Sequence, residues 1–265
     1  MYSRTQLIRK YFNYWRKASN GKGHGVHSPF VFDFIIRVLN DTTAYADYEP
    51  VEQLRRQLIN DRRSVEINDL GAGSGISKEK KRSISSIAKN AAKPRKYGQL
   101  LYRIIKRSRP STILELGTSL GITSSYLALA NPAARVITIE GDEQIHEIAK
   151  ENFEKMGLLN IQPVRGNFDQ VLKNILDRLP SVDFAFIDGN HRYLPTIQYF
   201  DAILEKVNTF SIVVMDDIHW SWEMEEAWDH CRQHSSVTLS IDLFFIGILF
   251  FKQSIMEKQH FAIRF

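Results

Sequence analysis

Cysteine is nearly missing: Cys231 is the only one in 265 residues. One thiol cannot close an internal disulfide or build a Cys-type zinc cluster, and it points to a reducing compartment. Long apolar runs are missing too. The longest, Leu243 to Phe251 between Asp242 and Lys252, is too short to span a bilayer. The N-terminus is charged and aromatic and has no continuous apolar core of a signal peptide. The chain therefore reads as cytoplasmic, with no transmembrane segment. No G-x-G-x-x-G dinucleotide fingerprint follows any apolar strand either. What remains, with 43% hydrophobic residues, is enough to bury one sizeable core.

Charge is present but unevenly placed, under a total of +5. Up to Pro110 there are 23 Lys+Arg against 9 Asp+Glu, and from Ser111 onward 12 against 21. A basic front can be a solvated face docked on the acidic back, or a steering surface for an anionic acceptor, a nucleic acid or a membrane. Tyr2 to Arg16 interleaves basic and aromatic residues with Leu7, Tyr11, Tyr14 and Trp15 near one helical face, a stripe expected to pack on a core or partner. His24 and His27 follow in a glycine-loosened loop. Helices are expected over 30–39 and 51–59.

The most informative stretch is Ser111 to Asp142. Ile113, Leu114 and Leu116 form an apolar run that breaks at Gly117 and Gly121. Apolar residues at helical spacing resume over 122–130, and a β-branched run over 136–139 ends on Glu140 and Asp142. That is strand, tight turn, helix, strand. Glycines let backbone approach a ligand, a helix start offers N–H groups, and an acid about twenty residues on can hold ribose hydroxyls.

The E-x-G-x-x-x-G spacing of Glu115, Gly117 and Gly121, closed by Glu140, resembles the S-adenosylmethionine site of Rossmann-like class I methyltransferases. The helix YGQLLYRIIKR (97–107) before ELGTSLG makes the segment similar to the catechol O-methyltransferase-like branch of small-molecule O-methyltransferases, over roughly residues 96–251. The resemblance implies a donor site of Glu115, Gly117, Thr118, Ser119, Gly121, Thr123 and Glu140. It also places Asn167 and Phe168 at the adenine, with Asp188 nearby. A rival glycine loop, Asp69-Leu-Gly71-Ala-Gly73-Ser-Gly75, lacks a following strand that ends in an acid, and it is expected to line the acceptor side.

The fold class expected is α/β. It is a Rossmann-like doubly wound sheet, mostly parallel, with an antiparallel C-terminal strand and an N-terminal helical extension. Residues 1–95 form the basic extension and 96–265 the methyltransferase domain. Strands over 161–164, 182–187 and 211–215 deliver Asp188, Asp216 and Asp217 to the ligand end of the sheet. Strands over 237–241 and 245–251 are joined too closely for a parallel crossover.

DGNHRYLP and DDIHWS, after those strands, resemble the magnesium-dependent O-methyltransferases. Asp188, Asp216 and Asp217 are then candidate ligands of a divalent metal such as Mg2+, or helix caps. His191, Asp188 and His219 are the candidate catalytic residues, an imidazole being a base for the acceptor proton. The function expected is methyl transfer to an oxygen of a small or polymer-borne acceptor. RNA methylation through the basic front, or a non-catalytic nucleotide-binding module, stand as alternatives, and a homodimer is one assembly left open.

Overall fold

The computed structural model describes residues 1–67, 81–90 and 93–265. The rival loop over 71–75 and its expected place beside the acceptor lie outside them.

The chain opens with helices α1 (Arg4–Lys17) and α2 (Pro29–Phe34), the latter continued by a π-helical turn (Ile35–Leu39), then α3 (Tyr48–Asn60). Strands β1 (Ser64–Glu66) and β2 (Lys81–Ser83) precede α4 (Ile84–Asn90) and α5 (Arg95–Ser108). Strand and helix then alternate: β3 (Thr112–Leu116), α6 (Ile122–Ala130), β4 (Arg135–Glu140), α7 (Glu143–Lys155), β5 (Ile161–Arg165) and α8 (Phe168–Asp177). The rest is β6 (Phe184–Ile187), α9 (Tyr193–Leu204), β7 (Ile212–Asp216), α10 (Trp222–Gln233), β8 (Leu239–Asp242), β9 (Ile246–Phe250) and β10 (Gln259–Ala262). No described helix is long and apolar enough to cross a membrane.

Two compact units partition these elements, one of residues 43–178 and one of residues 1–42 with 179–265. In the first, β3, β4 and β5 run parallel, Ile113 opposite Val136 and Val136 opposite Ile161. All but the ends of β3 and β4 are buried, as strands covered on both faces must be, so apolar residues occupy both faces, with Glu115 and Thr138 as buried polar exceptions. The amphipathic α5 lays Leu101, Ile104 and Ile105 into this core, and α6 is buried nearly all round. Around them, Tyr102 donates to Asp47 at 2.5 Å and Tyr126 to Glu52 at 2.8 Å, so buried phenols are satisfied by acids of the α3 region.

In the second unit β6 and β7 are parallel, β9 is antiparallel to both β7 and β8, and β10 lies parallel to β8. The antiparallel reversal has a local cause. Between β8 and β9 only Leu243, Phe244 and Phe245 intervene, with Phe244 in the left-handed region at φ 71° and Asp242 accepting its N–H at 2.7 Å. Helix α1 belongs to this unit. It starts on a capping box formed by Ser3 and Gln6, and it packs by Tyr11 edge-on to Phe244 at 5.0 Å. The Tyr14 hydroxyl donates to the carbonyl of Ile263 or Asp242. The parallel strands with flanking helices, closed by an antiparallel strand, are the expected Rossmann-like α/β arrangement.

Candidate active site

The first group of expected site residues is built by β3, the turn after it, and β4. Glu115 ends fully enclosed, 0% exposed, and its Oε2 accepts from the hydroxyls of Ser124 on α6 and Thr138 on β4, the latter at 2.6 Å. Thr138 spends its proton there, so Thr118 donates to Thr138 at 2.6 Å. The turn is thereby tied from beneath to both elements that frame it.

Above that tie the backbone is unusual. Gly117 has φ 106°, Ser119 φ 48° and Gly121 φ 81°. The N–H groups of Gly117 and Thr118 both donate to the carbonyl of Ile139, at 3.0 and 3.1 Å. From α7, Asn152 donates to the Leu120 carbonyl at 3.0 Å. Gly121 is the N-cap of α6, and no side chain caps the helix there. A Cβ on Gly121 would stand 2.5 Å from the Phe153 ring. The reason for glycine at this position is therefore partly packing, which the spacing did not show.

Glu140 closes the turn. Its Oε2 accepts from the Ser119 N–H at 2.8 Å and its Oε1 from the Asp142 N–H at 3.0 Å. Burial raises its pKa, and the backbone donors only partly oppose this. Asn167 is the N-cap of α8 and takes the Asp169 N–H at 3.1 Å, while Phe168 begins that helix half-buried. Thr123 is buried within the first turn of α6.

The second group stands at the ends of β6 and β7. Asp188, His191 and Asp216 offer ligand atoms that all lie within 4.8 Å of one another. His191 Nε2 is 3.6 Å from Asp188 Oδ1, a return made possible by left-handed Asn190 (φ 69°) and His191 (φ 40°). Asn190 is in turn fixed by donating to the Tyr199 hydroxyl at 3.0 Å. This cluster differs from the expected Asp188, Asp216 and Asp217. Asp217 lies outside it, in the left-handed region at φ 53°, and its N–H donates to the Phe245 carbonyl at 2.7 Å. The sequence singles out His191 as a candidate base, within DGNHRYLP, and the structure sets it beside Asp188 and Asp216.

His219, the other candidate base, stands between two carboxylates. Its Nδ1 is 2.8 Å from Glu225 and its Nε2 2.9 Å from Asp242, so both ring nitrogens face carboxylates. Burial alone would lower its pKa, but the hydrogen bonds to Asp242 and Glu225 outweigh it and raise the value to about 9. Glu225 also accepts from Tyr2 at 2.6 Å and from Lys10 at 2.8 Å, so α1 is fastened to the same network. Glu225, Asp242, Lys10 and Tyr2 had no sequence signal as partners of His219, because the fold joins them from distant segments.

Comparison with known proteins follows this geometry. The family model described as a methyltransferase domain matches residues 114–218, which run from β3 to just past Asp217. Catechol O-methyltransferase of Sus scrofa is 31% identical over 106 residues, 38% of this chain and 57% of that protein. The probable cobalt-precorrin-6B C(15)-methyltransferase (decarboxylating) of Sulfolobus acidocaldarius is 31% identical over 106 residues, 40% of this chain and 52% of that protein. Among solved structures, the S-adenosylhomocysteine (SAH)-bound Podospora anserina methyltransferase PaMTH1 shares the fold at a TM-score of 0.60 and 12% identity, covering 96% of this chain and 98% of that one. The chain spans about half the length of the curated relatives it matches. The domain match over residues 114–218 and the relatives make this chain similar to class I S-adenosylmethionine-dependent methyltransferases, whose fold it shares. Within that class the chain resembles the catechol O-methyltransferase-like branch.

Proposed function

We propose that the protein transfers the methyl group of S-adenosylmethionine to an oxygen of a small-molecule acceptor, with a divalent cation held by Asp188, His191 and Asp216. The observation that carries the donor reading is the contact of Ser119 with Glu140. It fixes a strand-end carboxylate against a glycine turn at an uncapped helix start, the arrangement a nucleoside with a charged tail requires. Oxygen is favoured as the accepting atom by the catechol-type relatives, although one relative methylates carbon.

Two carboxylates and an imidazole whose ligand atoms fit inside 4.8 Å suit a divalent ion after small side-chain shifts. The imidazole makes the set better for manganese, iron or zinc than for magnesium, which prefers oxygen alone. A bound divalent ion lowers the pKa of an acceptor hydroxyl and orients it. The chain's own residues supply the rest. The Gly117–Gly121 turn and Glu140 would align the donor, and in-line geometry would carry much of the rate. Donor activation is intrinsic to the sulfonium: as the O–CH3 bond forms the S–CH3 bond breaks, and the sulfur leaves as a neutral thioether.

The test is product formation from labelled donor with fractionated small molecules of a cell extract, before and after nuclease. Label in a small molecule, insensitive to nuclease, supports the reading. Label only in RNA replaces it with the alternative based on the basic front.

A further inference from the structure

Helix α1 has one side engaged and one side open. Tyr2, Lys10, Tyr11 and Tyr14 face the Glu225–Asp242–Phe244 network of their own unit. On the outer side Ile8 is 61% exposed, Phe12 59% and Trp15 43%. The spacing of these three, four then three residues, puts them in one stripe about two turns long. Tyr11 and Phe245, stacked at 6.1 Å and both partly exposed, continue the apolar surface onto the loop before β9. Arg4 borders the stripe on one side, Arg9 and Arg16 on the other, and all three are exposed. Arg264 lies over the Trp15 ring at 4.9 Å and donates to its carbonyl at 2.7 Å. The helix contains no acid.

We infer that this face of α1 docks the protein on an anionic lipid bilayer, with Ile8, Phe12 and Trp15 entering the headgroup boundary and the arginines meeting lipid phosphates. An amphipathic helix that is cationic at the rim and aromatic at the centre has the composition such a surface selects. Charge decides among occupants. A second copy would bring two acid-free cationic helices together, which is repulsive. A single-stranded nucleic acid would stack on open aromatic faces, but Arg264 covers one face of Trp15 and Ile8 offers no stacking surface. A bilayer uses both the aliphatic and the cationic side chains.

The full chain is spun with sucrose-loaded vesicles of phosphatidylcholine, with and without phosphatidylglycerol, at low and high salt. The expected result is binding to the phosphatidylglycerol vesicles that exceeds binding to neutral ones by about tenfold and falls as salt rises. The double variant Ile8→Ser/Phe12→Ser should lower that binding by about tenfold. Arg9→Glu/Arg16→Glu should remove the preference for anionic lipid. Both leave the melting temperature and donor affinity unchanged, since the altered side chains are solvent-facing. Equal binding to both vesicle types, no binding to either, or binding that both variants retain would overturn the inference. So would a concentration-dependent dimer, or an RNA complex, that Ile8→Ser/Phe12→Ser abolishes.

Discussion

The Nδ1 of His219 lies 2.8 Å from Oε1 of Glu225, and this contact favours the charged form of a ring whose residue type reads as a base. The folded pKa of about 9 stands above the ordinary histidine value of 6.5, so its contribution to stability is complete below pH 6.5 and is lost as pH rises through 9. For Glu225, burial pushes upward, but His219, Lys10 and Tyr2 pull its pKa down to about 2; its contribution is complete above 4.5 and is lost as pH falls towards 2. Both act together between about pH 4.5 and 6.5. The melting temperature of the protein should fall between pH 6.5 and 9, by an amount on the order of 2 kcal/mol of stability, and His219→Gln should flatten that slope. Folded His219→Gln, assayed from pH 6 to 8, should keep the wild-type pH profile of activity, because the neighbouring carboxylates hold the ring in its charged form over that range.

Gly121 tests why the donor turn needs glycine. Its φ of 81° and the 2.5 Å approach of a Cβ to Phe153 predict that Gly121→Ala loses about 1–3 kcal/mol of stability even without ligand. Gly121→Ala/Phe153→Leu removes the collision and should recover part of that loss in chemical denaturation. Full stability of the single variant would show that the turn relaxes freely.

The cation cluster is tested by chelation. Turnover should disappear in chelator and return with a divalent ion, with manganese restoring more than magnesium because of the His191 ligand. Asp216→Asn should lower the affinity for manganese, followed by titration calorimetry, and Asp217→Asn should leave it within about twofold. Full turnover after chelation would instead leave His191, oriented by Asp188, to take the acceptor proton unaided.

How much of this could be read beforehand depends on the range of the interactions. The unit β3–turn–α6–β4 is legible because its signals are local: Gly117 and Gly121 interrupt an apolar run, helical periodicity follows, and Glu140 marks the next strand end. The antiparallel β8 and β9 are legible from three intervening residues. Long-range partnerships are not. Glu115 gave no hint of its bonds to Ser124 and Thr138, and β10 pairing parallel to β8 follows from a tail of ambiguous pattern. The substitution of His191 for Asp217 in the cluster depends on two consecutive left-handed residues, which no propensity announces for a histidine. The stripe of aromatics on α1 was legible, but its division into a docked side and an open side required the positions of Phe244 and Glu225.

Binding of S-adenosylmethionine by the Gly117–Gly121 turn with Glu140 is tested most directly by calorimetric titration of the wild type, Glu140→Ala and Asp216→Asn with S-adenosylhomocysteine. Glu140→Ala is expected to weaken binding by about 1.5–3 kcal/mol, the worth of a hydrogen bond to a charged group. Asp216→Asn should leave the affinity within about twofold, because that residue serves the metal cluster. Unchanged affinity in Glu140→Ala, or no binding by the wild type, would contradict the account.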